Sequence, residues 1–460
     1  MFKPELLSPA GTLRNMKYAF AYGADAVYAG QPRYSLRVRN NDFNLENLHE
    51  GINIAHAQGK KLYVASNIMP HNSKLKTYID DLRPVIEMGP DALIMSDPGL
   101  ILMVKENWPD VPIHLSVQSN TMNWASVKFW HQAGIERIIM SRELSLDEIA
   151  EIREKCPEIE LEVFVHGSLC IAYSGRCLLS GYINHRDPNQ GTCTNSCRWK
   201  YDAHEATQGD NGDLIPVQNF DPNENFDLNE EPVQPALGEG EPTSRMYLLQ
   251  EETRPGEYMP AYEDEHGTYI MNSKDLRAIQ HVHRLTEMGI HSLKIEGRTK
   301  SHYYVARTAQ AYRKAIDDAV AGRPFDMQLM DTLENLANRG YTEGFYRRHV
   351  HDEYQNYETG NSVGVHQQFV GEVIGRDTQR GTLDIEVKNR FMVGDTLELM
   401  TPSGNRKFKL EHLENLQGET KDCAPGSGHK VRLPLDIDVD LEYALLMRDL
   451  PNAPAFESGN

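Results

Sequence analysis

The chain reads as an α/β protein: a (β/α)8 TIM-like barrel followed by a small C-terminal β-barrel domain. Three observations predict this. Eight short runs rich in Val, Ile, Leu or Tyr are bounded by turn residues, and segments with apolar residues at helical spacing lie between most of them. The runs end in polar residues, as expected of strands whose C-terminal ends form the active face of such a barrel. From about Val363 the helical spacing stops, and short β-type runs separated by turn signals take over.

In chain order, the first seven barrel strands are predicted at Glu5–Pro9, Ala26–Gly30, Lys61–Asn67, Ala92–Asp97, Ile113–Gln118, Arg137–Ser141 and Leu161–His166. The eighth, Ser292–Glu296, follows a predicted helical stretch, Ser273–Met288. Leu82, Val85 and Ile86 before Gly89-Pro90 show the helical spacing between strands. An open doubly wound sheet is the alternative. The count of eight and the long excursion before the last strand favour closure. That excursion, about Tyr201 to Thr268, is rich in Asp, Glu, Pro, Gly and Asn and is expected as an acidic loop. Helices are expected around Tyr304–Val320 and Met327–Ala337. C-terminal strands are expected at Gln368–Ile374, Thr382–Val387, Thr396–Met400, Lys430–Leu433 and Tyr443–Met447. The expected organisation is a barrel over 1–360, a β-domain over 361–450 and a tail over 451–460.

At 460 residues and 40% hydrophobic content, the chain can bury one large core and a smaller one. No stretch approaches the roughly 18 apolar residues of a membrane span. The N-terminus has no apolar run of signal-peptide length, so a cytoplasmic protein is expected. The net charge of −20 argues against a generic nucleic-acid coat. It is unevenly placed: Tyr201–Glu265 holds 17 acidic and 2 basic residues, and the rest of the chain carries only −5. A local basic surface elsewhere is compatible with that balance.

Four of the six cysteines, Cys170, Cys177, Cys193 and Cys197, fall within 28 residues directly after the seventh predicted strand. In a reducing compartment such a cluster points to metal rather than disulfides. The spacing, C-x6-C and then C-x3-C, is too wide at its first pair for a zinc knuckle. Four thiolates suit an iron–sulfur cluster or zinc. Cys156 and Cys423 read as incidental.

The stretch Glu162-x-Phe164-x-x-Gly167-Ser168-Leu169-Cys170-x4-Gly175-x-Cys177-x-Leu179-Ser180 resembles the signature of the collagenase-like peptidase family, matching each of its fixed positions. Leu6-Leu-Ser-Pro-Ala-Gly11, Lys294-Ile-Glu-Gly-Arg298 and Asn338-Arg-Gly-Tyr-Thr-Glu-Gly-Phe345 resemble further segments of it, so the likeness spans nearly the whole chain. It implies a [4Fe–4S] cluster on Cys170, Cys177, Cys193 and Cys197, with Cys197 the least secure ligand. It also implies oxygen-independent hydroxylation rather than proteolysis. The order of elements is most similar to a branch acting on tRNA, which implies 5-hydroxyuridine formation at the wobble position, prephenate as hydroxyl donor and a redox partner.

Arg142, Arg176 and Arg298 fall at or past predicted strand ends. Arginine forks suit carboxylates, such as those of a small dicarboxylate donor, and rim ion pairs are the plain alternative. Glu296 ends the last strand and is expected to orient a substrate or an arginine. His166 and Ser168 would be base and nucleophile in a hydrolase. No Gly-x-Ser-x-Gly elbow or His-Glu-x-x-His helix accompanies them, so support of the neighbouring site is the expected role of His166. Asn67 and Gln118 end strands in amides suited to a uracil edge. Tyr173, Tyr182 and Trp199 offer stacking faces. Arg376, Arg380, Lys388, Arg390, Arg406, Lys407 and Lys409 are expected to give the C-terminal domain a basic, RNA-facing surface.

Overall fold

The computed structural model describes residues 2–36, 42–169, 173, 274–336, 338, 340–347 and 366–451, together with the backbone of six short strands between 201 and 268. The eight barrel strands are β1 (Glu5–Pro9), β2 (Ala26–Gly30), β3 (Lys61–Ala65), β4 (Ala92–Met95), β5 (Ile113–Leu115), β6 (Arg137–Ile139), β7 (Glu160–Ser168) and β8 (Ser292–Ile295). All are parallel to their neighbours, and β8 pairs with both β1 and β7. Leu293 of β8 thus faces Leu6 on one side and Val163 on the other, which closes the sheet and rules out the open alternative. Closure explains the composition. A strand such as Ala-Val-Tyr-Ala-Gly in β2 is buried at every position, inside against the barrel filling and outside against helices.

The helices of the first half are α1 (Leu13–Ala21), α2 (Leu45–Ala57), α3 (Asn72–Glu87), α4 (Pro98–Asn107), α5 (Trp124–Gln132) and α6 (Leu146–Lys155). The second half adds α7 (Val282–Glu287), α8 (His302–Val320) and α9 (Gln328–Glu334). Thr12, Asn44, Asp97, Asn123, Ser145 and Ser301 cap six of them, each accepting a backbone N–H three residues on. Each cap is worth about 1 kcal/mol and fixes where the chain leaves the barrel mouth. No helix among the described residues is long and apolar enough to cross a membrane.

Two expectations change. The predicted helix Ser273–Met288 begins instead as a strand, Asp275–Arg277, antiparallel to the end of β7. β7 is nine residues long and leaves an open edge there, which the Asp-Leu-Arg backbone satisfies. The acidic segment is not one loop. Tyr201–Gln208, Leu214–Pro216, Met246–Glu251 and Tyr258–Ala261 form a four-stranded antiparallel sheet. Acidic composition hid the β-type run Met246-Tyr-Leu-Leu-Gln250, whose Leu248 aligns with His204.

The C-terminal domain is a seven-stranded antiparallel sheet around its own core of Val370, Leu383, Ile385, Phe391, Leu399 and Leu446. It contains a strand that carries no predictive pattern, Gly404–Lys409, exposed along most of its length at the sheet edge. Met400, Leu445 and Met447 join the barrel core. The Tyr22 hydroxyl lies within hydrogen-bond distance of the carbonyls of Met400 (3.1 Å) and Tyr443 (2.9 Å). Arg307 of α8, fully buried, donates to Glu398 and Gln367, each at 2.8 Å. The two units are therefore locked by packing and by a polar network at the joint.

Candidate active site

The C-terminal ends of the strands surround a cavity of about 110 Å³. Its charged lining among the described residues comes from β8 and the residues after it, Lys294, Glu296 and Arg298, and from Arg142 beyond β6. Three cations thus face one carboxylate. Arg142 donates to the Ser168 carbonyl at 2.8 Å and lies 4.9 Å from the centre of the Phe164 ring. Arg298 donates to the Ser35 hydroxyl at 2.7 Å and is buried. Glu296 accepts the Tyr28 hydroxyl at 3.0 Å, and burial with that carboxylate beside it raises the Tyr28 phenol.

Lys294 forms part of the lining and was not singled out from sequence. Its ammonium donates to Glu162 at 2.8 Å and sits 4.4 Å from the Tyr28 ring centre. Burial pushes its pKa down, and Glu162 pulls it part of the way back. Glu162 also accepts Arg137 at 3.3 Å, and Arg137 pairs with Glu5 at 2.6 Å, so an ion chain runs down the barrel interior. The readable signal is charge in the middle of buried strands: Lys in Ser-Leu-Lys-Ile and Glu in Leu-Glu-Val-Phe, both otherwise uncharged and buried.

Just after β3 and β5 stand neutral amides. Asn67 donates to the Gln118 carbonyl oxygen at 2.7 Å, and the Ser116 hydroxyl donates to the same oxygen at 3.2 Å. Both amides line the cavity.

Gly167 explains the signature around β7. Its φ is +104°, and a Cβ there would collide with the Glu296 carbonyl oxygen. Only glycine lets β7 cross so close to the exit of β8. The pairing also slips between Lys294 and Ile295, which partner Phe164 and His166 and leave Val165 out. Phe164 and Ser168 therefore line the cavity, whereas His166 packs among Tyr304, Tyr312 and Tyr341 with ring centres 5.4–5.8 Å away. Burial, with Arg277 adding, pushes the His166 pKa down to about 3.

The structure thus brings Arg142, Glu296, Arg298, Asn67 and Gln118 together and sets His166 apart from them. Cys170, Cys177, Cys193 and Cys197 lie outside the described residues, as do Arg176, Tyr182 and Trp199. Leu169, the last described residue before Cys170, packs against the barrel core, and Ser168 before it lines the cavity, so β7 ends at the cavity wall. A set of four thiolates fits an iron–sulfur cluster in its chemistry. Among the described residues no group of His, Cys, Asp or Glu is arranged to hold a metal ion. Tyr173 is half-exposed. Cys156 is buried at the end of α6, and Cys423 pairs with Met392 in a short strand pair.

Of the seven residues expected to give the C-terminal domain a basic surface, four face carboxylates. Arg376 faces Asp436 and Asp438, Arg380 faces Glu414, Lys388 bonds Glu386 at 3.0 Å and Lys407 bonds Asp449 at 2.9 Å.

Residues 11–356 match the profile of peptidase family U32, and residues 366–448 that of the peptidase family U32 C-terminal domain. The chain is 67% identical over 456 residues to tRNA hydroxylation protein P of Escherichia coli K12, covering 98% of this chain and 97% of that protein. It is 65% identical over 451 residues to tRNA hydroxylation protein P of Haemophilus influenzae, covering 98% and 97%. It is 26% identical over 455 residues to the 23S rRNA 5-hydroxycytidine C2501 synthase of Escherichia coli, covering 95% of this chain and 59% of that one.

Proposed function

The chain belongs to peptidase family U32, and on that footing we propose that it is a tRNA-hydroxylating enzyme, forming 5-hydroxyuridine at the wobble position with a [4Fe–4S] cluster and prephenate as hydroxyl donor. The observation that carries the reading is the full-length identity to proteins named for tRNA hydroxylation, joined to a cation-rich barrel mouth at which β7 ends.

The residues divide the work. Cys170, Cys177, Cys193 and Cys197 would hold the cluster, which would supply one-electron chemistry when bound. Arg142 and Arg298, held by the Ser168 carbonyl and the Ser35 hydroxyl, bind the carboxylates of the dicarboxylate donor. Lys294 adds a third cation in the same lining. Tyr28 holds Glu296 in place, and among the described lining residues Glu296 is the one carboxylate able to take a proton. A wobble base lies in a single-stranded loop, so it is displaced into a pocket at modest cost.

A peptidase reading finds less support. His166 is buried on the side of β7 that meets the tyrosines of α8, while Ser168 lines the cavity, so the two do not form a base–nucleophile pair.

Mass spectrometry of tRNA nucleosides tests the reading. Cells lacking the gene, with oxygen-dependent routes removed, should lose 5-hydroxyuridine derivatives. The wild-type gene should restore them, and Cys170→Ala should not. Normal levels in the deleted strain would overturn the function. Iron and sulfide analysis of anaerobically purified protein tests the cluster: Cys170→Ala, Cys177→Ala and Cys193→Ala should each lose it, and Cys156→Ala should not.

A further inference from the structure

The two sides of the cavity differ in kind. β8 and the residues after it supply three of the four charged lining residues, Lys294, Glu296 and Arg298. Asn67 and Gln118 follow β3 and β5, which flank β4. In a closed eight-stranded barrel β4 stands opposite β8. An anionic ligand belongs on the charged side and a neutral ring on the amide side.

The amide side also has a fixed polarity. The backbone N–H of Leu36 can only donate, and it donates to the Asn67 Oδ1 at 3.3 Å. The Asn67 Nδ2 therefore points the other way and donates to the Gln118 Oε1 at 2.7 Å. The Ser116 hydroxyl donates to that same oxygen. With its oxygen doubly used, Gln118 presents its Nε2 as a donor. That atom is buried, has no partner among the described residues, and belongs to a side chain only 2% exposed in the cavity wall. A buried amide donor without an acceptor is costly, so a ligand is expected to complete it.

We infer that Gln118 selects the base: its Nε2 donates to the C4 carbonyl of uracil, beside the reacting C5, and disfavours cytosine, whose amino group would put donor against donor. This rests on the tRNA-hydroxylation reading and adds the atom that discriminates. Asn67 is a positioning residue in this scheme, because it sets which way the Gln118 amide faces. Uracil and cytosine differ at C4 in this sense, acceptor against donor.

The orientation relay supplies its own test. Asn67→Asp keeps an acceptor for Leu36 but removes the donor to Gln118. The Gln118 amide then turns its nitrogen toward the carboxylate introduced at position 67 and its oxygen to the cavity, which suits an amino group. Gln118→Glu removes the donor directly. Purified full-length protein is assayed on two anticodon stem-loop RNAs that differ only in U or C at the modified position. Binding is read by anisotropy and product by mass spectrometry. Wild type should favour the U loop. Both variants should reduce the U-to-C preference roughly ten- to a hundred-fold, with Asn67→Asp gaining on the C loop. A merely structural role would weaken both loops alike. An unchanged ratio in both variants, with either folded, overturns the inference. Failure of wild type to modify the U loop would overturn the functional reading and this inference with it.

Discussion

The barrel mouth and the C-terminal sheet both carry many basic residues, yet only one of them reads as an anion site. At the mouth, Arg142, Lys294, Arg298 and Glu296 converge on one cavity, with Lys294 held from behind by Glu162. On the sheet, residues 366–451 hold fifteen acidic and eleven basic residues, and the cations sit across strands from carboxylates, as Arg432 does with Asp384 at 2.8 Å. A paired cross-strand cation is satisfied and offers little field to a ligand. What marks a site is therefore charge gathered in a concave, low-dielectric place, not the number of Lys and Arg. The same contrast recasts the C-terminal domain as a structural partner of the barrel, because its buried Glu398 points inward to Arg307 of α8 rather than outward.

Substitutions can break this comparison, and the largest effect is expected at the joint. Arg307→Ala leaves Glu398 buried without its cation and should cost about 3–5 kcal/mol of stability. Urea denaturation measures it. Loss of under about 1 kcal/mol, the range of an exposed pair, would mean that the joint is not rigid. For the same reason, removing the C-terminal domain should lower barrel stability. Next is Arg298→Ala, which should cost about 2–5 kcal/mol of donor binding with a smaller loss of stability than Arg307→Ala. Activity measured against donor concentration, alongside a melting curve, separates the two. A third effect concerns His166. Its folded pKa of about 3 lies below the ordinary histidine value of 6.5. The unfolded chain therefore binds the extra proton between those values. Stability from this group is intact above about pH 6.5 and falls as pH drops toward 3, by at most about 1.4 kcal/mol per unit. His166→Gln should flatten that slope in denaturation at about pH 7 and about pH 5. The smallest effect belongs to Arg380→Ala in the C-terminal domain, whose 3.8 Å pair with Glu414 is set by a mostly exposed arginine; it should change stability by about 0–1 kcal/mol and leave tRNA affinity nearly unaltered. A large loss of affinity would restore the basic-surface idea.

Period and punctuation alone located the eight barrel strands, since a buried parallel strand has to be a short apolar run and its helix has to begin at a cap such as Ser145 or Ser301. The placement of Arg142, Glu296 and Arg298 at the mouth was legible in the same way, because strand ends define the active face. Other features were not. Gly404–Lys409 is an edge strand exposed to water, so no apolar alternation records it. His166 follows Phe164 by two residues and by simple alternation belongs in the cavity; a bulge that depends on β8 turns it outward. Lys294 and Glu162 each show in the sequence only as a charge inside an apolar run; that they are partners, 132 positions apart, is set by the fold. The sequence by itself determined which residues form most of the strands, helices and caps, because those choices rest on local sterics and on burial of nearby side chains. Only the tertiary structure decided which charges gather at the mouth and which way the Gln118 amide faces, because both depend on partners that the closed barrel brings together.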